Sequence, residues 1–548
     1  MNTENKQTNY PALYTLIGVF FFWGFIGASN GVFIPFCKAK FNLSQFQSQL
    51  IDSAFYFAYY IGAFLLFLFS VIGKKDFLNS WGLKNGIVYG LILSVIGAFV
   101  MFPALGSNDF AFILGALFII ALGFSLQQTA AQPFAISLGD ESTGAHRLNL
   151  AGGINSFGTT IGPIVFALAL LGTTKLDESL IPGLSLGTVQ WLYVIIGVAF
   201  LIAALLFKLS KKLPDGKNDA TIENESKATL LLSIITIVLV AVLSIIFIQY
   251  TKSEVDHNSN LSLYLIIIGI LALVFGLTFA MQSSKSNPDG WGALKYPQLV
   301  LGMLGIFAYV GVEVAIQSNL GEYLKVLDSK SGNSDKYWEN ITPMLISLYW
   351  GSLMIGRWTG AVSALNLSGN AKKWLRLFMP LIAFVVVMAF TYVAGYNIEP
   401  LKWYFLCILV QIAAFYITND KPAFTLMIFG VLGTLATVIG ITTTGMTSIY
   451  AYLSAGLFLS IMWPCIFSLS VAGLGKYQSQ GAGFLVMMIL GGAILPPIQG
   501  KLADIIGIHN SFIIGTICFA YLTYYAVFVK KSLKNQGIEF DDKMTGAH

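Results

Sequence analysis

Long apolar runs, each about the length of a bilayer crossing, follow one another along almost the whole chain, and short charged stretches separate them. A helix that crosses a hydrocarbon layer of ~30 Å needs ~20 largely apolar residues. Charge-free runs of this kind cover 12–36, 53–73, 85–108, 110–139, 148–174 and 181–207, then 228–251 and 258–284. The pattern resumes at 296–321, interrupted only by Glu313, and at 340–365, interrupted only by Arg357. It continues through 377–398, 403–419, 422–475, 477–500 and 505–529. The run 422–475 is too long for one crossing, and the polar stretch from Thr442 to Gly445 is where it folds back. Sixteen spans result. Lipid leaves no partner for unpaired backbone groups, so the fold class is an all-α polytopic membrane protein.

Composition narrows the classes of function. Of 548 residues, 31 are basic and 26 acidic, so charged residues make up 10%, against about a quarter in soluble domains. The hydrophobic share is 56%, with 43 Phe, and the mean hydropathy is +0.75. No soluble fold covers that much apolar surface. Secreted, cytosolic and nucleic-acid-binding globules are excluded. The net charge of +5 comes from Lys scattered among short loops, so no nucleic acid is expected as a partner. Cys37, Cys407, Cys465 and Cys518 form no CxxC pair and no metal-ligand spacing, and read as reduced hydrophobe-like thiols. The first run is too long for a signal-peptide core, and no A-x-A site follows it, so it is expected to stay as a span.

Loop charge predicts direction. With the N-terminus inside, 22 of the 31 basic residues fall in inner loops and 9 in outer ones, as the positive-inside rule requires. Both termini are expected in the cytoplasm, and the setting in a bacterial inner membrane.

The chain also repeats itself. The string from Ser53 to Gly62 resembles that from Ser347 to Gly356, an offset of 294 residues. Gly158 to Ile164 resembles Gly492 to Ile498, an offset of 334, and Pro133 against Pro464 gives 331. A growth of about 40 residues is two short spans, so the second half is expected to hold a helical hairpin that the first lacks, within 377–441. The run pair in 228–284 reads as another hairpin, after six spans and a basic loop. The expected layout is a six-helix bundle in 1–210, a linker and hairpin in 211–295, a second six-helix bundle with its inserted hairpin in 296–535, and a tail in 536–548. Two related halves holding substrate at the midplane is a common transporter plan.

Several strings carry a resemblance. Phe20 to Phe25 (FFFWGF), Ser53 to Phe57, Gln128 to Phe134 (QTAAQPF), Arg147 to Ala151 and Asn155 to Gly158 resemble the fucose–galactose–glucose symporter branch of the major facilitator superfamily. Tyr309 to Gln317 (YVGVEVAIQ) resembles its hexose-transporting members, and Trp463-Pro464 and Phe467 to Leu469 fit the tenth core helix. The resemblance covers nearly all the chain outside the two hairpins. It implies the major facilitator fold, here with two extra hairpins, alternating access, and cation-coupled uptake of a monosaccharide such as glucose or galactose. A facilitative uniporter and, further off, a multidrug exporter of the same fold are the alternatives. The expected partners are a small-molecule sugar and membrane lipids, with the protein monomeric.

A neutral sugar calls for amides and aromatic faces rather than a fixed charge. Gln128 and Gln132 share a helix face, as do Asn155 and Thr159, and Trp23, Gly27 and Asn30 line up in the first span. Tyr309, Glu313 and Gln317 form a fourth stripe. Such polar groups either serve a ligand or join helices. Gln128 and Asn155 match positions the family uses for substrate or coupling, and are assigned to function; Gln132 and Thr159 are assigned to structure. Trp23, Trp350 and Trp463 lie inside spans, suited either to stacking on a sugar or to ordinary packing, and Tyr56, Tyr59 and Tyr60 are similar cases. Arg357 is read as an inter-helix anchor. The expected substrate set is Trp23, Asn30, Gln128, Asn155, Tyr309, Glu313, Gln317 and Trp350.

Coupling is where the sequence departs from the family. Proton-coupled members carry an Asp and a Glu at positions corresponding to Gly31 and Gln128, both neutral here. Asp52 and Glu313 remain as candidates for cation coupling, with a sodium ion at Asp52 as one option and no other cofactor expected. Enzymatic readings fail. Gly27 to Gly31 matches GxSxG literally but lies in a membrane helix, with no intramembrane His to activate Ser29. No HExxH or Walker loop is present.

Overall fold

The computed structural model describes residues 7–27, 30–42, 45–107, 109–173, 183–217, 225–251, 261–331, 337–365 and 367–538. The described chain is helical, without strands. The first half consists of α1 (Tyr10–Gly27), α2 (Asn30–Lys40), α3 (Gln45–Ile72), the short α4 (Phe77–Trp81), α5 (Leu83–Gly106), α6 (Phe110–Ser137), α7 (Gly144–Leu171) and α8 (Leu186–Leu209). A hairpin of α9 (Ser226–Thr251) and α10 (Leu261–Ser286) follows. The second half runs through α11 (Pro297–Ser331), α12 (Tyr337–Ala361), α13 (Gly369–Val393), α14 (Phe405–Thr418), α15 (Pro422–Thr442), α16 (Gly445–Leu459) and α17 (Met462–Val471). It closes with α18 (Gln478–Met487), α19 (Gly491–Ile506), α20 (Ile508–Ser511) and α21 (Ile513–Asn535).

Local chemistry sets the ends. Asp109 caps α6 by accepting from the Ala111 amide at 2.9 Å, and Ser185 caps α8 through the Thr188 amide at 3.1 Å, satisfying donors that a helix start leaves unpaired. The polar stretch after Thr442 does turn the chain, between α15 and α16. α1 and α2 are described on either side of residues 28–29, so the expected stripe of Trp23, Gly27 and Asn30 falls partly outside the described residues.

Among the described residues, fifteen helical segments are long and apolar enough to cross a membrane. The sixteenth expected span corresponds to α12, which has the length, at 25 residues, but is not among those fifteen. Its charged and polar side chains, Arg357 foremost, lower its hydropathy.

The helices pair in the same way in both halves. α1 packs on α7 as α11 packs on α19, and α3 on α6 as α12 on α16. α5 packs on α6 and α8 as α15 packs on α16 and α21. In this correspondence α13 and α14 have no counterpart in the first half. Close approach is built on small residues: a Cβ at Gly158 of α7 would lie 2.6 Å from the Phe21 carbonyl oxygen of α1, and one at Gly90 of α5 2.7 Å from the Gly123 carbonyl oxygen of α6.

The α9–α10 hairpin straddles the halves, with α9 against α3 and α10 against α11 and α19. Thr236 of α9 and Tyr60 of α3 share a hydrogen bond of 3.0 Å. Between the halves, α12 lies along α7, and α18 lies against α3 and α6. One end of this seam is closed by polar contacts. Ser479 donates to Asp76 at 2.8 Å, Gln478 to Glu141 at 3.4 Å, and the Trp358 indole to the Gly153 carbonyl at 3.0 Å.

Candidate functional site

α11 is almost wholly covered by protein, yet its sequence places a carboxylate in the middle of the span. The i, i+4 spacing puts Tyr309 beneath Glu313, and the Tyr309 hydroxyl donates to Glu313 Oε1 at 2.8 Å. Arg357 of α12 supplies the opposite charge, with Nη2 3.5 Å from the same oxygen and 3.0 Å from the Tyr309 hydroxyl. The two charged side chains are 13% and 12% exposed. Charge removed from water needs a partner in this way. Tyr349 of α12 adds a bond to the Glu313 backbone carbonyl at 2.9 Å. Trp463 packs beside Tyr309, with ring centroids 6.1 Å apart.

The opposing wall comes from α3 and α6. The Gln128 amide donates to the Tyr59 hydroxyl at 3.3 Å. Tyr56 lies one turn from Asp52 and one turn from Tyr60 on α3. Its ring also lies against Gly492 of α19, where a Cβ would approach it to 3.2 Å. Tyr56 thus brings α3 up against α19 of the second half. What meets at the contact of the two bundles is a set of hydroxyls, an amide, a carboxylate and a guanidinium. Such a set can exchange hydrogen bonds with a polyhydroxylated molecule. Among the described residues no three His, Cys, Asp or Glu side chains form a metal-binding group.

Other expected residues fall differently. Trp23 is buried, and its indole donates to Gln127 Oε1 at 2.7 Å, while Gln127 donates to Ser94 at 3.0 Å. That chain joins helices. Asn155 donates to the Phe20 carbonyl at 3.0 Å, so its amide ties α7 to α1. Trp350 is half-buried beside Tyr349, at 5.9 Å between centroids. Gln317 is half-buried one turn beyond Glu313. The side chain of Asn30 lies outside the described residues. Buried Gln132 keeps one oxygen without a donor among the described residues.

Two participants, Ser156 and Tyr349, escaped the sequence reading, and Arg357 was read only as an anchor. Arg357 does anchor helices, but it does so at the carboxylate itself. Ser156 receives Arg357 Nη1 at 2.7 Å from across the seam, and Tyr349 braces the α11 backbone. For Ser156, only the neighbouring position, Asn155, carried a signal in the sequence.

Comparison with known proteins now adds to the geometry. Residues 15–425 match the family model described as Major Facilitator Superfamily. The chain belongs to the major facilitator superfamily. Within it, the chain is 30% identical over 534 residues to a glucose/galactose transporter of Brucella abortus, covering 97% of this chain and 98% of that one. It is 26% identical over 524 residues to the L-fucose-proton symporter of Escherichia coli, covering 95% and 93%. A crystal structure of the E. coli fucose:proton symporter superposes with a TM-score of 0.59 at 24% identity, over 95% of this chain and 99% of that one. That likeness is one of fold. It agrees with the pairing of helices in the two halves, and these relatives are transporters, not enzymes. In a facilitator, a polar cluster shared by both halves is placed where a substrate between them would be touched from both sides.

Proposed function

We propose that the chain is a cation-coupled importer of a monosaccharide, glucose or galactose, working by alternating access in a bacterial inner membrane with both termini in the cytoplasm. The observation that carries this reading is the Tyr309–Glu313–Arg357 group in one half, with the Tyr59–Gln128 pair and Tyr56, which meets α19, in the other. A pyranose offers several hydroxyls that both donate and accept, and such a two-sided set satisfies them in either orientation of the halves. The name of the Brucella abortus relative supports a hexose. In this reading Glu313, Gln128 and Gln317 bond hydroxyls, Trp350 supplies a flat face, and Asp52 holds the coupling ion, sodium or proton.

A second reading, facilitative uniport, draws on two observations. The positions corresponding to the family's coupling carboxylates are Gly31 and Gln128. Glu313 is already paired to Arg357 within the protein. Counterflow in liposomes with a panel of labelled sugars, with and without sodium or proton gradients, tests both. Import is expected to be competed by one set of epimers and driven by one gradient. If no hexose exchanges, the sugar reading is wrong. Counterflow that no gradient drives uphill selects the uniporter.

A further inference from the structure

We propose that Arg357 is a positioning residue of the substrate site: it presents Glu313 and latches the two halves together, so that a sugar arriving at Glu313 loosens the latch. This rests on the transport reading above.

The guanidinium touches four places at once. Nε donates to the Ser460 carbonyl, between α16 and α17, at 3.2 Å. Nη1 donates to Ser156 of α7 at 2.7 Å. Nη2 reaches the Tyr309 hydroxyl at 3.0 Å and Glu313 Oε1 at 3.5 Å. Ser156 belongs to the first half; the other partners belong to the second. The shortest of these bonds therefore crosses between the halves, while the longest goes to the carboxylate.

That distribution has a consequence. Among the described residues no group donates to Glu313 Oε2, so the carboxylate keeps lone pairs for an incoming hydroxyl. A sugar hydroxyl that donates to Glu313 and accepts from Tyr309 or Nη2 competes with the contacts that hold the guanidinium. Its donors lie in one rigid plane, so a shift at Nη2 is felt at Nη1. Around it the seam is narrow: Trp358 bonds the Gly153 carbonyl at 3.0 Å, Thr160 meets the Met354 sulfur at 3.8 Å, and Asn149 lies under Gly360. Loss of the Ser156 bond therefore acts on the whole α7–α12 contact.

The test uses full-length protein in liposomes, with the four natural cysteines replaced and Thr160→Cys as a reporter. Thr160 is 6% exposed in the closed seam, so the alkylation rate of a thiol there reads opening. Ser156→Ala and Arg357→Lys, each added to this reporter parent, are expected to raise the sugar-free rate about tenfold, the effect of one charge-assisted hydrogen bond. A transported hexose should raise the rate in the parent and not in Glu313→Gln. Sugar-free rates equal to the parent's in both Ser156→Ala and Arg357→Lys overturn the latch, whatever a sugar does. Loosening by both variants without any response to hexose in the parent overturns the sugar control and leaves the latch standing. The two failures are thus separable.

Discussion

Replacing Glu313 with Gln removes one charge from a nearly covered pair and alters little else. At the 3.5 Å separation from Arg357 Nη2, an effective dielectric of ~20 gives an attraction of about 5 kcal/mol. Removing one partner of such a pair costs about 3–5 kcal/mol, because the other charge stays behind uncompensated. Ser460, Ser156 and Tyr309 still accept from Arg357. They soften the loss, so about 3 kcal/mol is expected. The double variant Glu313→Gln/Arg357→Gln removes both charges and should recover much of that loss, a coupling energy of about 2 kcal/mol. Graded SDS unfolding of the purified protein in mixed micelles measures all four corners of the cycle. Should Glu313→Gln unfold at the parent's SDS fraction, the pair does not hold α11 to α12. Should the double variant lose the plain sum of the singles, the two charges do not interact. Either result refutes the reasoning.

Gln128→Ala should weaken sugar binding by roughly three- to thirtyfold, the effect of one or two lost hydrogen bonds. Asn155→Ala should cost both affinity and stability, because its amide also holds the Phe20 carbonyl; calorimetry of sugar binding and melting curves separate the two. Thr236→Val removes the hairpin's bond to Tyr60 and should cost about 1 kcal/mol of stability with sugar affinity unchanged; altered affinity would place the hairpin in the binding path. Gly158→Ala forces a methyl against the α1 backbone and should destabilise by about 1–3 kcal/mol, read by the same unfolding series. Burial raises the Asp76 carboxyl above its ordinary value, so the folded state holds that proton to a higher pH than the unfolded chain does. Its contribution is present at low pH and lost as pH rises through the folded value, and Asp76→Asn should flatten that part of the melting profile.

Much of the architecture was legible because it rests on local pattern. Charge-free runs and polar breaks marked the spans, including the fold at Thr442 to Gly445, and the motifs in α1, α6, α7 and α11 pointed to the family. The site was less legible, because its geometry depends on distant partners. Glu313 and Arg357 are 44 residues apart in sequence, and nothing in either run says that the two meet. Trp23 looked free to stack on a ligand, yet its indole is used by Gln127, adjacent to the residue singled out on the same helix. A repeat offset reveals that two helices were added. It does not reveal which helix pairs with which, and packing distinguishes α15, which repeats the contacts of α5, from α13 and α14.

The modest hydropathy of α12 bears on how the chain enters the bilayer during synthesis. An arginine within a span opposes insertion by about 2.5–3.5 kcal/mol on translocon scales, and a central acidic residue acts similarly. Arg357 and Glu313 lie on consecutive helices, and each cancels the other's charge once they are side by side. α11 and α12 therefore partition best as one unit, leaving the translocon together rather than singly. A nascent chain stopped just after α11 should linger near the translocon, and one stopped beyond α12 should be released into lipid.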